Sequence, residues 1–144
     1  MRTLSRNMTF KDIVVGIIIK GSKFLVEKRK SNDKIEPGII CFPGGHIKQG
    51  EMPESAIKRE MKEEIGIKIK DFKHVYTGFC TDSTGKEKAK IFYFKITDWD
   101  GEIRCKEAEK LFWESKLERL DTEIDRLALQ KAVKTFSKSF WTTQ

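Results

Sequence analysis

Histidine and cysteine are scarce in this chain. Its 144 residues hold two histidines, His46 and His74, and three cysteines, Cys41, Cys80 and Cys105. Two imidazoles are too few for a histidine-based metal cluster. The cysteines are odd in number and show no Cys-x-x-Cys spacing, which argues against both a disulfide framework and a zinc site. Long apolar runs are also missing. No stretch approaches the roughly 20 residues of a membrane span, and the N-terminus carries no signal-peptide core. A reduced, cytoplasmic setting is the expectation, with no membrane partner. No RNA-binding motif such as an aromatic-rich RNP sequence is present. No Ser, Cys or His constellation suggests a covalent intermediate. Internal repeats and linkers are absent, so one domain over residues 1–144, with a core of about 10–138, is expected.

Charge is abundant. Lys and Arg number 29 against 22 Asp and Glu, a formal net charge of +7. That balance favours anionic partners such as polyphosphates, nucleic acids or membrane surfaces. The charges are interspersed, so they name no single class. One stretch is more specific. Residues 45 to 67 read Gly-His-Ile-Lys-Gln-Gly-Glu-Met-Pro-Glu-Ser-Ala-Ile-Lys-Arg-Glu-Met-Lys-Glu-Glu-Ile-Gly-Ile. Pro53 suits the first helical turn, where its missing N–H has no partner in any case. Gly66 suits the left-handed position after a helix end. A helix over about Pro53 to Ile65 follows.

On that helix Glu60 lies three and four residues from Glu63 and Glu64, so the three carboxylates share one face. Ile57, Met61 and Ile65 make a separate stripe for a core. Like charges at these spacings repel. A divalent cation offsets the repulsion, and Mg²⁺ takes oxygen ligands from a few carboxylates plus substrate phosphates. The plainer alternative is a solvated charged face. The clustering of the carboxylates and the Gly-rich turn before them favour the metal.

The stretch resembles the signature of the Nudix hydrolases, filled by Gly45, Glu51, Arg59, Glu60, Met61, Glu63, Glu64, Gly66 and Ile67. So many positions at fixed spacing make a specific match. The resemblance implies an α/β fold, the Nudix α/β/α sandwich with a mixed β-sheet. It also implies metal-dependent hydrolysis of a nucleoside diphosphate linked to another group. Glu60, Glu63 and Glu64 would be metal ligands, with the Gly44 carbonyl as a further one. Mg²⁺ is the expected ion, with Mn²⁺ as a substitute. Arg59 and Glu51 would pair to orient the catalytic carboxylates. Arg29 falls where MutT-type chains place an arginine on substrate phosphate; the alternative is a strand-end arginine in water. Glu107 would supply a later metal ligand or catalytic carboxylate, with Glu109 as second choice and a surface role as the alternative for each. Glu63 is a candidate general base and Glu107 its competitor.

The remaining elements were read from pattern. Residues 1 to 9 are expected to be loosely held. Asp12 to Ile19 reads as a strand covered on both faces, and Phe24 to Arg29 as the returning arm of a hairpin. Residues 30 to 38 read as a loop, which the resemblance places at the rim of the nucleotide pocket. Ile39 to Phe42 is a short strand, and Pro43-Gly44-Gly45 lets backbone approach a ligand. Many relatives carry a Trp just before this turn; Ile40 and Phe42 fill the region here. Ile67 to Thr81 and Lys88 to Ile96 read as strands about a turn at 82–85, with another turn at Asp98 to Gly101. Asp121 or Thr122 would cap a last helix. Its core stripe would be Ile124, Leu127, Ala128, Ala132 and Phe136, broadened by Leu129 and Val133. Its N-terminal end, near Asp121 and Glu123, would border the base.

The expected reaction is direct attack of water on an internal phosphorus of a (deoxy)nucleoside triphosphate. The products would be a nucleoside monophosphate and pyrophosphate. Oxidised guanine triphosphates such as 8-oxo-dGTP, and CTP or dCTP, are the substrates considered. The alternatives are ADP-ribose or another nucleotide sugar, a dinucleoside polyphosphate, or an RNA 5′ end. A nucleotide-binding regulatory domain without turnover is the rival of another class. Nucleic acid is not otherwise an expected partner, and no stretch decides between monomer and homodimer.

Overall fold

The computed structural model describes residues 2–5, 8–32, 37–81 and 85–134, with side chains from Phe10 onward. Eight strands run in the order β1 (Arg2–Ser5), β2 (Met8–Lys20), β3 (Lys23–Lys28), β4 (Ile40–Cys41), β5 (Gly44–His46), β6 (Lys68–Thr81), β7 (Lys88–Asp100) and β8 (Lys110–Glu114). Helix α1 (Pro53–Ile65) separates β5 from β6, and α2 (Glu123–Lys134) ends the described chain. A single 3-10 turn, Leu117–Arg119, precedes α2.

The strands form one mixed sheet with the path β4-β3-β2-β7-β6; β1 and β5 pair with β2, and β8 pairs with β3. The β2–β7 pairing is parallel and the other ladders are antiparallel. Alternation along β2 divides the interior. Val14 and Ile18 join Ile57, Met61 and Ile65 of α1 in one cluster. Val15 and Ile17 join Ala128, Leu129 and Ala132 of α2 in another. The helices therefore cover opposite faces, which makes the α/β/α sandwich.

The ends of α1 fall where Pro53 and Gly66 put them. Gly66 has φ +77°, and its N–H donates to the Lys62 and Met61 carbonyls. The N-terminus departs from expectation, because Arg2–Ser5 pairs with β2, which starts at Met8. The expected turn at Asp98 to Gly101 shrinks to Gly101 (φ +98°), because β7 stays paired with β6 as far as Asp100 opposite Lys68. Register shifts on both sides of Asp71 interrupt the ladder between β6 and β7. In α2, Thr122 Oγ1 accepts from the Asp125 N–H at 3.3 Å and is the cap. Asp121 instead accepts from the Ile40 N–H at 2.7 Å. Leu127 is 39% exposed rather than part of the core stripe. Phe136, expected in the stripe of α2, and residues 82–84 of the expected turn lie outside the described residues, as do 33–36 of the rim loop.

Candidate active site

Backbone packing brings the Gly-rich turn and α1 together. β5 pairs with β2, setting Gly45 opposite Val14 and Gly44 opposite Val15. A Cβ on Gly45 would lie 2.2 Å from Glu60 Cδ. The carboxylate of Glu60 thus occupies the space that any side chain at 45 would need. Two of the three helix carboxylates, Glu60 and Glu64, are buried, while the Glu63 side chain is 47% exposed.

Arg59 ties the cluster to the loop before the helix. Its Nε and Nη2 donate to the two oxygens of Glu51 at 2.8 and 2.9 Å, a bidentate pair. Its Nη1 donates to Glu60 at 2.9 Å and to Glu63 at 3.2 Å. Its Nη2 also reaches the His46 carbonyl at 2.9 Å. Glu51 accepts in addition from the Lys48 N–H. Hydrogen bonding by Arg59 is the main reason the Glu51 carboxyl is held down to about 2. The same contacts raise the Arg59 guanidinium above its ordinary value.

A carboxylate that the sequence reading passed over completes the group. Glu27, near the end of β3, is only 5% exposed. Burial first, then the charge of Glu27 and contact with Glu60, push the Glu64 carboxyl well above the usual carboxylate range. The signal was present in sequence. Leu25 packs toward α1 while Val26 packs toward α2, so the two-residue period of a strand returns Glu27 to the α1 face. Cys41, opposite Glu27 on β4, has its thiol raised to about 12, chiefly by burial.

Glu27, Arg29, Lys30, Asn32, Gly44, Glu64, Glu107 and Ala108 line a cleft of about 170 Å³. The structure therefore gathers Arg29, Gly44, Glu64 and Glu107 around one space, with Glu60 and Gly45 adjoining through α1. Glu107 rides on a segment fastened at both sides. The Lys106 N–H donates to the Glu64 carbonyl at 3.1 Å, and the Glu109 N–H to the Lys28 carbonyl at 3.0 Å. Glu109 itself pairs with Lys28 at 3.4 Å on the surface. Glu123 is exposed and does not line the cleft. The buried acid of α2 is instead Asp125, whose carboxylate accepts from Tyr93 OH at 2.5 Å and from the Phe42 N–H at 3.4 Å. A larger groove of about 870 Å³ lies between α2, the β2–β3 turn and residues 115–118. It is mostly apolar and contains none of these carboxylates apart from Glu118 at its rim, so the chemistry belongs to the smaller cleft.

The donor set suits a hard divalent ion. Glu27, Glu60 and Glu64 offer only oxygen and are buried, and burial first, then the other two carboxylates, raises Glu64. Among the described residues no three such side chains stand close enough together to hold an ion as they are placed. Arg59 engages one oxygen each of Glu60 and Glu63.

Comparison with known proteins agrees with this geometry. The NUDIX domain family matches residues 10–134. The chain is 36% identical over 106 residues to an 8-oxo-dGTP diphosphatase of Buchnera aphidicola subsp. Schizaphis graminum, covering 74% of this chain and 78% of that protein. It is 37% identical over 102 residues to an ADP-ribose pyrophosphatase of Methanocaldococcus jannaschii, covering 67% and 58%. A crystal structure of a MutT NUDIX hydrolase from Burkholderia pseudomallei superposes with TM-score 0.75 at 26% identity, covering 85% of this chain and 98% of that one. The chain belongs to the Nudix family, as a hydrolase of the MutT type. It is accordingly a pyrophosphohydrolase enzyme rather than a binding domain without turnover. Among the described residues no helix is long and apolar enough to cross a membrane.

Proposed function

We infer that the enzyme cleaves a (deoxy)nucleoside triphosphate to a nucleoside monophosphate and pyrophosphate. An oxidised guanine triphosphate such as 8-oxo-dGTP is its first candidate substrate, and CTP or dCTP the second. The observation that carries this reading is the cleft in which Arg29 and Lys30 face Glu27, Glu64 and Glu107. Cations for a polyphosphate and carboxylates for a divalent ion meet there in one small space. The similarity to proteins named 8-oxo-dGTP diphosphatase supports the oxidised base.

Glu60, Glu63, Glu64 and the Gly44 carbonyl would hold Mg²⁺, or Mn²⁺ in its place, with Glu27 beside them. Such an ion supplies charge neutralisation on the phosphates and Lewis acidity toward water. Arg29 binds a phosphate oxygen and fixes the chain of phosphates along the cleft. Water attacks an internal phosphorus, the anhydride P–O bond on the far side breaks, and pyrophosphate departs. Glu107 accepts the proton from that water; its place on the cleft wall supports it over Glu63, which Arg59 restrains. Arg59 and Glu51 hold Glu60 in position and touch no substrate. Gly45 keeps the space beneath Glu60 open. The single eight-stranded sheet supports treating the chain as one domain.

ADP-ribose is the second reading, favoured by the 37% identity to the pyrophosphatase of that name. A product-resolved hydrolysis panel with Mg²⁺ decides between them. It should contain ordinary and 8-oxo nucleoside triphosphates, ADP-ribose, a dinucleoside polyphosphate and 5′-triphosphorylated RNA. Pyrophosphate and monophosphate from one triphosphate are the expected products. Turnover confined to ADP-ribose, the dinucleotide or the RNA overturns the substrate while leaving the family intact.

A further inference from the structure

The sheet face that carries α1 extends past the helix. α1 reaches β2 at Val14, Gly16 and Ile18. Before Val14 the same face continues across three strands. Phe10 of β2 stands opposite Lys88 of β7, and Lys90 of β7 opposite Phe79 of β6. Phe10 and Phe79 meet edge to face over this row with ring centroids 5.4 Å apart. Phe10 is buried yet belongs to neither core cluster. Phe79 is 57% exposed, one of three large hydrophobic side chains that are exposed among the described residues. One step along, Lys90 Nζ lies 5.0 Å from the Phe92 ring centroid, and the His74 ring 6.3 Å from Phe92. Farther along β6, beyond the row, Lys58 of α1 lies 5.3 Å from the Phe72 ring centroid.

A single exposed phenylalanine is ordinary on a protein surface, but Phe79 meets Phe10 edge to face beside a row of lysines. Flat aromatic rings alternating with lysines are the pairing used to grip unpaired bases and the phosphates between them. Among the described residues the acid in this part of the face is Asp12, opposite Lys90, against Lys88 and Lys90. The surface is therefore complementary to a polyanion that also exposes flat rings.

We propose that this platform binds single-stranded nucleic acid. Bases stack on the exposed rings of Phe79 and His74, and Lys88 and Lys90 hold the intervening phosphates. Recognition is tolerant of sequence, because every base has a π-face. A duplex, whose bases are already stacked, lacks the exposed rings. The platform is separate from the hydrolytic cleft. Gly45, beneath Glu60, and Phe92 flank Val14 on opposite sides, so α1 stands between the two sites. No local motif announces it, because Phe10 and Phe79 come together only through tertiary pairing.

Fluorescence anisotropy with a labelled 15-nucleotide oligo(dT) lacking a 5′-phosphate tests the proposal, with a duplex of equal length as the comparison. The expected result is preference for the single strand that excess nucleoside triphosphate does not abolish. Phe79→Ala should weaken binding about tenfold. Lys90→Gln should reduce the slope of log affinity against log salt by about 0.7. Nucleotide hydrolysis should be unchanged in both variants, which also reports that each is folded. Equal affinity for the duplex, no binding at low salt, or unaltered binding by both variants overturns the proposal. So does a concentration-dependent dimer that Phe79→Ala abolishes, since the face would then belong to a second copy of the chain.

Discussion

Gly45→Ala isolates the position of one carboxylate from the stability of the fold. Neither Gly44 nor Gly45 has a positive φ, so alanine meets no backbone strain at either place and the test is one of space. At 45 the new Cβ would sit 2.2 Å from Glu60 Cδ and 2.3 and 2.4 Å from its oxygens. Ordinary contact needs about 3.5 Å, so the carboxylate must retreat by about 1 Å. It can do so, because it is the far end of a flexible side chain. The expected loss of stability is about 1–2 kcal/mol, or roughly 3–6 °C in Tm for a chain of this size. The retreat draws Glu60 from Arg59 Nη1, now at 2.9 Å, and a misplacement of about 1 Å at a catalytic centre costs about 100-fold in rate. Gly44→Ala is the control. Its Cβ would lie 2.3 Å from the Val14 carbonyl oxygen and 3.0 Å from Val15 Cα. Those atoms are backbone of the central strand and cannot withdraw without opening the β2–β5 ladder. A loss above about 3 kcal/mol is expected there. Circular dichroism melts and pyrophosphate release with Mg²⁺ give both quantities. Normal turnover in Gly45→Ala, or equal melting of the two variants, refutes the reasoning.

Two further perturbations bear on the carboxylates. Glu51, held down to about 2 by Arg59, contributes stability that is present above its ordinary value of 4.5 and is lost as pH falls toward 2. In Arg59→Met that contribution disappears, so the Tm gap between wild type and variant should narrow between pH 4.5 and 2; a constant gap would be against it. Glu27→Gln should weaken Mn²⁺ binding about tenfold by titration calorimetry while leaving the melt unchanged or raised, since a buried like charge is removed. Unchanged affinity would take Glu27 out of the site.

What was legible in sequence was local. Pro53 and Gly66 each act on their own backbone, and α1 begins and ends where they dictate. The alternation of Ile91, Tyr93 and Lys95 against Phe92, Phe94 and Ile96 sorts these residues to opposite faces because a strand's period is fixed by its geometry. Helical spacing puts Glu60 and Glu63 on one face, and the resemblance to the Nudix signature implied the pairing of Arg59 with Glu51 that the structure holds. What sequence withheld depends on partners far along the chain. Asp98 and Asp100 look like turn residues, yet β6 pairs with them and keeps them extended. Leu127 fits a helical stripe as well as Leu129 does, and only the placement of the sheet decides which is covered. Asp125 carries no signal of burial in the sequence, and only the fold brings it Tyr93 and Phe42 as hydrogen-bond donors inside the core.

The parallel ladder between β2 and β7 carries a consequence for how the molecule is made. Phe10 and Lys88, its first partners, are separated by nearly 80 residues. During synthesis the Gly-rich turn and α1 leave the ribosome before β7 exists. At that moment β2 has only β1, β3 and β5 as possible neighbours, and the apolar side of α1 has half a floor. Non-local pairings of this kind close late. The catalytic segment is thus translated early but fully seated late, and a nascent chain halted before Lys88 would hold the acidic helix on β2 and β5 without β7.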